Sequence, residues 1–199
     1  MKIDDMNRQS YRHNGYDYSQ VGSYFVTLCT KDKEPLFGEI DSGVMRLTRA
    51  GGIAAACWKR IPEHFTNVQL DEFVVMPDHI HGIIRIVETL SRDVQLNIPT
   101  PLSRSLPTHP PTHPPTDDYF SRISPKRGSL AVVVRTYKAA VTTICRQNGI
   151  GEFVWQRGYH DHIIRDSDSL SRIRRYIIGN PQHWMPMRIS VVHQRSDTA

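Results

Sequence analysis

Two runs of strand-forming residues, Val68 to Met76 and His79 to Val87, flank Met76-Pro77-Asp78. Proline has no N–H to give to a ladder and its fixed φ suits a tight turn, so the two runs read as a β-hairpin. A hairpin is not stable alone; it needs further strands or a helix against which to bury its apolar face. The flanking sequence supplies both. Ser23 to Lys31 is rich in β-branched and aromatic residues and reads as a first strand. Asp32 to Leu47 carries Gly38, Asp41, Ser42 and Gly43 between short apolar pieces, the composition of a hairpin excursion. From Thr48 to about Phe65 the apolar residues Ile53, Ala54, Cys57, Trp58 and Ile61 recur at helical spacing behind Thr48, a candidate N-cap.

Beyond the hairpin the composition breaks. Most of the thirteen prolines fall between about residues 89 and 128, where Thr108-His109-Pro110-Pro111 is repeated as Thr112-His113-Pro114-Pro115. Such a stretch lacks the apolar residues to offset its ordering entropy and reads as an extended or disordered insert. Ser129 to Asn148 follows as a second long helix, with Leu130, Val133, Val134, Tyr137, Val141 and Ile144 on one face and Gly149 at its end. A fourth strand falls at Phe153 to Trp155 or within His160 to Arg165. A third helix begins near Ser167 with Asp168 in its first turn and runs to about Gly179. The order β, α, β, β, α, β, α is α+β and implies a ferredoxin-like (RRM-like) βαββαβ antiparallel sheet with helices on one face, followed by a C-terminal helix.

The chain has 199 residues, 39% of them apolar, enough for one compact domain with length left over. The expected division is a basic and aromatic N-terminal arm at 1–22, a domain at 23–184 interrupted by the proline-rich insert, and a tail at 185–199. No apolar run approaches the roughly 20 residues of a membrane-spanning helix, and the polar start carries no apolar leader, so the cytoplasm is expected. Cys29, Cys57 and Cys145 are widely spaced without a CxxC and read as buried thiols. A formal charge of +5 favours a polyanionic partner only slightly.

His79 and His81 stand at the start of a strand, where alternate side chains share a face, so both imidazoles project to one side about 6.8 Å apart along the axis. One cation between them could take an Nε2 from each. Ile80, Gly82 and Ile84 would then form the apolar, core-directed face. Such i, i+2 pairs also occur on strands where the histidines are merely structural or solvated, and spacing alone does not decide between the two.

Four segments carry a resemblance. Asp17-Tyr18-Ser19 through Ser23-Tyr24-Phe25-Val26-Thr27 to Leu36-Phe37-Gly38, Phe73-Val74-Val75-Met76-Pro77-Asp78-His79-Ile80-His81-Gly82, Trp155-Gln156-Arg157 with Asp161-His162-Ile163-Ile164-Arg165, and Arg175-Tyr176-Ile177-Ile178-Gly179-Asn180-Pro181 resemble, in order and spacing, the REP-associated tyrosine transposases of the IS200-like, HUH single-tyrosine superfamily. The resemblance implies that His79 and His81 hold a divalent ion, Mg²⁺ or Mn²⁺. It implies that Tyr176 on a late catalytic helix attacks a phosphodiester of single-stranded DNA, leaving a 5′-phosphotyrosine and a free 3′-OH, and that the DNA is a small hairpin with a short flanking guide. Asn180, one turn beyond Tyr176, would correspond to a third ligand, although between Gly179 and Pro181 it equally reads as a helix stop. A phenol of pKa near 10 is a weak nucleophile at neutral pH, and a metal that favours its anion answers that need.

Other residues are weighed around these. Tyr159 sits in a strand or turn, and Tyr137 lies on an apolar helix face. His160-Asp161-His162 is a second i, i+2 pair that reads as charged surface or as a support for the site. Arg157, Arg165, Arg172, Arg174 and Arg175 gather near Tyr176 in sequence and suit phosphate, as solvated helix faces also would explain. Arg8 and Arg12, with Tyr11, Tyr16 and Tyr18, have the composition that pairs with unpaired nucleotides. The expected activity is therefore a metal-dependent tyrosine endonuclease and strand transferase, acting as a monomer or homodimer on hairpin DNA in transposition. The alternatives are a non-catalytic hairpin-DNA-binding protein and an unrelated metal-dependent phosphoesterase.

Overall fold

The computed structural model describes residues 16–88, 126, 128–151 and 153–184. Arg8, Arg12 and most of the arm, the proline-rich insert from 89 to 125 with His109 and His113, and the tail lie outside the described residues. Four strands, β1 (Gly22–Cys29), β4 (Val68–Val75), β5 (His79–Ile86) and β6 (His160–Ile164), form one antiparallel sheet in the order β4-β5-β1-β6. A separate ribbon pairs β2 (Gly38–Asp41) with β3 (Val44–Leu47), the expected hairpin excursion. The sheet is the split βαβ arrangement, in which sequential strands leave a gap that a hairpin partner fills.

The expected helix from Thr48 to Phe65 divides into α1 (Arg49–Lys59) and a single turn, α2 (Ile61–His64). Pro62 is the reason: lacking an N–H, it is accommodated in a first turn and not in a helix interior. The Thr48 side chain caps α1 by accepting from the Gly51 N–H at 3.2 Å. The second long helix, α3 (Leu130–Gln147), ends where Gly149 takes a φ of +68° and its N–H bonds the Arg146 carbonyl. Of the two candidates for the fourth strand, His160–Ile164 pairs with β1, while Trp155 makes one isolated bridge to Thr30.

α1 and α3 cover one face of the sheet. There Trp58, Ala54, Val133, Tyr137 and Val141 pack on Tyr24, Val26, Leu28, Ile80 and Ile84, all fully or nearly buried. Burying each such aliphatic side chain contributes about 1.5–3 kcal/mol. Gly82 is required by this packing, since a Cβ there would stand 2.2 Å from Cζ2 of Trp58. Cys29 and Cys145 are buried thiols as expected, but Cys57 is only half-buried at the edge of α1.

The last helix, α4 (Ser167–Gly179), packs on the opposite face, and so the fold has a layer on each side of the sheet. Asp166 caps it by accepting from the Ser169 N–H at 2.7 Å. Leu170, Ile173 and Ile177 form its apolar stripe against Phe25, Ile83 and Ile164. Among the described residues, no helix is long and apolar enough to cross a membrane.

Candidate functional site

Alternation along β5 sends Ile80, Gly82 and Ile84 into the α1/α3 core and leaves His79, His81 and Ile83 on the face that α4 covers. The turn before His79 is held from three sides. The Asp78 carbonyl accepts from the Thr30 N–H and from Thr30 Oγ1, both at 2.9 Å. The Pro77 carbonyl accepts from the Phe37 N–H, and the Met76 N–H closes the hairpin on the His79 carbonyl. The strand that begins at His79 is therefore fixed before either imidazole contributes.

Both imidazoles are buried, each 6% exposed. His79 Nδ1 lies 2.5 Å from Asp78 Oδ1, and His81 Nδ1 lies 2.9 Å from Thr27 Oγ1. Thr27 is placed there by register, being directly opposite His81 in the β1–β5 ladder. The Nε2 atoms converge at 3.0 Å. A carboxylate accepts only, so His79 donates from Nδ1 and keeps its lone pair on Nε2. With His81 donating to Thr27, two lone pairs face each other and call for a cation or a proton between them. Two neutral imidazole nitrogens with converging lone pairs are donors of a kind that a divalent cation accepts. The donor pair thus fits a divalent cation, and Asp78 and Thr27 are the outer groups that would orient the two imidazoles toward it. Burial, followed by the proximity of His79 and Lys33, holds the His81 imidazole well below its ordinary range and so favours its neutral form. Among the described residues no third His, Cys, Asp or Glu completes a metal-holding group.

Tyr176 comes to this pair from α4. Its hydroxyl is 3.3 Å from His81 Nε2, and its ring stands edge-on to Phe25 with centroids 6.2 Å apart. Ile177, 1% exposed, anchors the same turn. Asn180 ends the helix: its N–H bonds the Ile177 carbonyl, and it opens a 3-10 turn, Asn180–His183, containing Pro181. Among the described residues no hydrogen bond joins its side chain to the histidines. Past this turn, Trp184 lies with its ring centroid 5.5 Å from that of His79.

The arginines divide. Arg165, Arg172 and Arg175 are exposed, Arg175 reaching back to the Ser171 carbonyl. Arg174 is instead engaged with Asp71 of β4, and Arg157 lies beside α3 in the other layer. His160 stands opposite Thr27 and His162 opposite Phe25, so that second pair shares the face of His81, one strand beyond β1. Tyr137 is a core residue whose hydroxyl donates to the Ala54 carbonyl, and Tyr159 packs at the edge of that same core.

Sequence reasoning passed over Asp78 and Thr27 as functional groups. Asp78 had a local signal in its place next to His79, whereas Thr27 becomes a partner only through strand pairing.

No protein-family model matches the chain. An uncharacterised protein of Haemophilus influenzae is 38% identical over 181 residues, covering 89% of this chain and 90% of its own. The solved structure of a REP-associated tyrosine transposase bound to a REP hairpin superposes with a TM-score of 0.50 at 15% identity, over 83% of this chain and 71% of that one. The chain belongs to the family of the Haemophilus influenzae protein and is built on the fold of a REP-associated tyrosine transposase.

Proposed function

We propose that this protein is a DNA strand transferase that cleaves and rejoins single-stranded, hairpin-forming DNA through Tyr176. The observation that carries this reading is the meeting of three groups from two elements: the Tyr176 hydroxyl 3.3 Å from His81 Nε2, which is itself 3.0 Å from His79 Nε2. A structural tyrosine would not need its hydroxyl at a buried imidazole that is itself paired with a second one. The solved neighbour is a transposase bound to a REP hairpin, which supports DNA of that kind as the partner.

His79 and His81 would hold Mg²⁺ or Mn²⁺, whose charge offsets that of the phosphate and favours the phenolate. The chain's own residues do the rest. Asp78 and Thr27 keep both Nε2 lone pairs turned inward, and Phe25 and Ile177 hold the Tyr176 ring. Tyr176 gives up its phenolic proton to solvent, its oxygen bonds to phosphorus, and the bond from phosphorus to the 3′ oxygen breaks, releasing a 3′-OH once that oxygen takes a proton from solvent. The 5′-phosphotyrosine conserves the phosphodiester, so a 3′-OH can reverse the step and rejoin DNA without ATP. Asn180 would be a further ligand if its amide turned toward the ion, and Arg165, Arg172 and Arg175 would contact the phosphates. Arg8 and Arg12 are proposed as contacts to the unpaired flank.

Incubation with labelled single-stranded oligonucleotides and Mn²⁺ tests this reading. A covalent DNA adduct that resists denaturation and is lost in Tyr176→Phe is expected. Cleavage that survives that substitution contradicts it, because a water nucleophile would then be at work.

A further inference from the structure

Across the sheet from Tyr176, on the layer formed by α3, a cleft of about 450 Å³ opens between the helix and the Trp155 to Gly158 segment. Lys138, Thr142 and Arg146 line it at i, i+4 and i+8, on a side of α3 that carries none of the helix's buried residues. Arg157 stands on the opposite wall, with Trp155 and Ala139 supplying apolar surface. No carboxylate lines the cleft among the described residues. Three cations with no acid between them are an arrangement that repels itself unless an anion is present.

Lys138 shows that the arrangement is built. Its ammonium donates to the Gln156 carbonyl at 2.8 Å and to the Gly158 carbonyl at 2.6 Å, and it lies 5.3 Å from the centre of the Trp155 ring. Trp155 returns a bond from Nε1 to the Lys138 carbonyl at 3.2 Å. Burial holds the lysine down at about 8, so its charge is poorly hydrated and is offset by the two carbonyl dipoles and the Trp155 ring. Arg146 and Arg157 form no ion pair among the described residues and are exposed.

The cleft is also connected to the histidine site. The Gln156 N–H bonds the Cys29 carbonyl at 2.9 Å, and Cys29 stands directly opposite His79. Two strand spacings, roughly 10 Å, therefore separate the backbone of Gln156 from that of His79 at one end of the sheet.

We propose that this cleft is a second contact site for single-stranded DNA, seating a phosphate of an unpaired nucleotide on Arg146 and Arg157 with its sugar or base against Trp155. The inference rests on the DNA-processing reading above and adds where the strand runs: around the end of the sheet, from the Tyr176 face to the α3 layer. Guanidinium groups suit phosphate oxygens, and an aromatic wall accepts any base, so this site would add length-dependent affinity and little sequence preference.

The test is anisotropy of fluorescein-labelled oligothymidylates of 6 to 20 nucleotides on the full chain, against Arg146→Ala/Arg157→Ala. Lys138 is left intact because it ties the loop to the helix, and an unchanged circular dichroism melt confirms folding. The double variant should bind the longer oligomers about tenfold more weakly, and the slope of log K against log salt should fall by about 1.4, the release of two counterions from a single strand. Equal affinity and slope in parent and variant overturn the site while leaving cleavage through Tyr176 standing. Displacement of the oligomer by polyglutamate as effective as displacement by DNA of equal charge overturns the nucleotide assignment. Failure of the parent chain to bind any of the oligomers overturns this site, while cleavage through Tyr176 is judged separately with hairpin-forming DNA.

Discussion

Arg174 of α4 and Asp71 of β4 meet at two points, Nε to Oδ1 at 2.7 Å and Nη2 to Oδ2 at 2.6 Å. Asp71 sits where the β4–β5 register shifts between Leu70 and Phe73, so an irregularity in the strand offers its carboxylate to the helix two residues before Tyr176. The planar guanidinium matches the carboxylate at both oxygens and restrains rotation of α4 about its axis. Asp71→Asn and Arg174→Gln should each lower the rate of adduct formation by about ten- to a hundredfold, as misplacing a nucleophile by about 1 Å does, with little effect on DNA affinity. Single-turnover kinetics on both variants, and partial recovery in Asp71→Arg/Arg174→Asp, check a positioning role.

The same pair has an acid limit. The Arg174 guanidinium holds the Asp71 carboxyl below its ordinary value of 3.8, with the Glu72 N–H assisting. A carboxylate with a depressed folded value contributes stability that is present above the unfolded value and lost as pH falls through the folded one. The contact should therefore persist at pH 5 and be released only as pH drops below about 3.8 toward the depressed value. In Asp71→Asn this part of the acid unfolding profile should vanish, which a pH series of urea midpoints measures.

Gly82→Ala tests the core on the other face. The added Cβ meets the six-membered ring of Trp58 at 2.2 Å, a rigid and fully buried neighbour that cannot swing aside. A loss of about 2–3 kcal/mol is expected from overpacking, and Trp58→Phe in the same chain should recover part of it by removing the contacted ring. Chemical denaturation of the four proteins gives the cycle.

Much of this architecture was legible before any coordinates. The strand-forming runs about Pro77 pointed to the hairpin, and the apolar face of α3 to its buried side, because burial imposes its pattern locally. Three things were not. Either segment after α3 could serve as a fourth strand, and only pairing with β1 selects His160–Ile164. The division at Pro62 shows a local rule outweighing an apolar spacing that ran through it. Arg174 read as one of a phosphate-facing group, yet its partner is Asp71, 103 residues away in sequence. Tyr176, His79 and His81 were recognisable by resemblance to a family. That they meet depends on α4 crossing to the face opposite α1 and α3, which no spacing encodes.

Metal binding, if it uses both histidines, should depend on their outer partners. Asp78→Asn removes the carboxylate that fixes the His79 tautomer, and Thr27→Val removes the partner of His81 Nδ1. Each should weaken Mn²⁺ affinity by about ten- to a hundredfold, and His81→Ala should abolish it, as titration followed by electron paramagnetic resonance would register. Unchanged affinity in all three variants would place any ion elsewhere.

The central claim is that the phenol of Tyr176 becomes covalently joined to DNA. Mass spectrometry of the protein after reaction with a single-stranded hairpin oligonucleotide and Mn²⁺ measures it most directly. The account predicts a nucleotide-bearing peptide containing Tyr176, linked through a 5′ phosphate and missing from Tyr176→Phe and from His79→Ala/His81→Ala. Cleaved DNA with no modified peptide, or an adduct mapping to Tyr159, would contradict it.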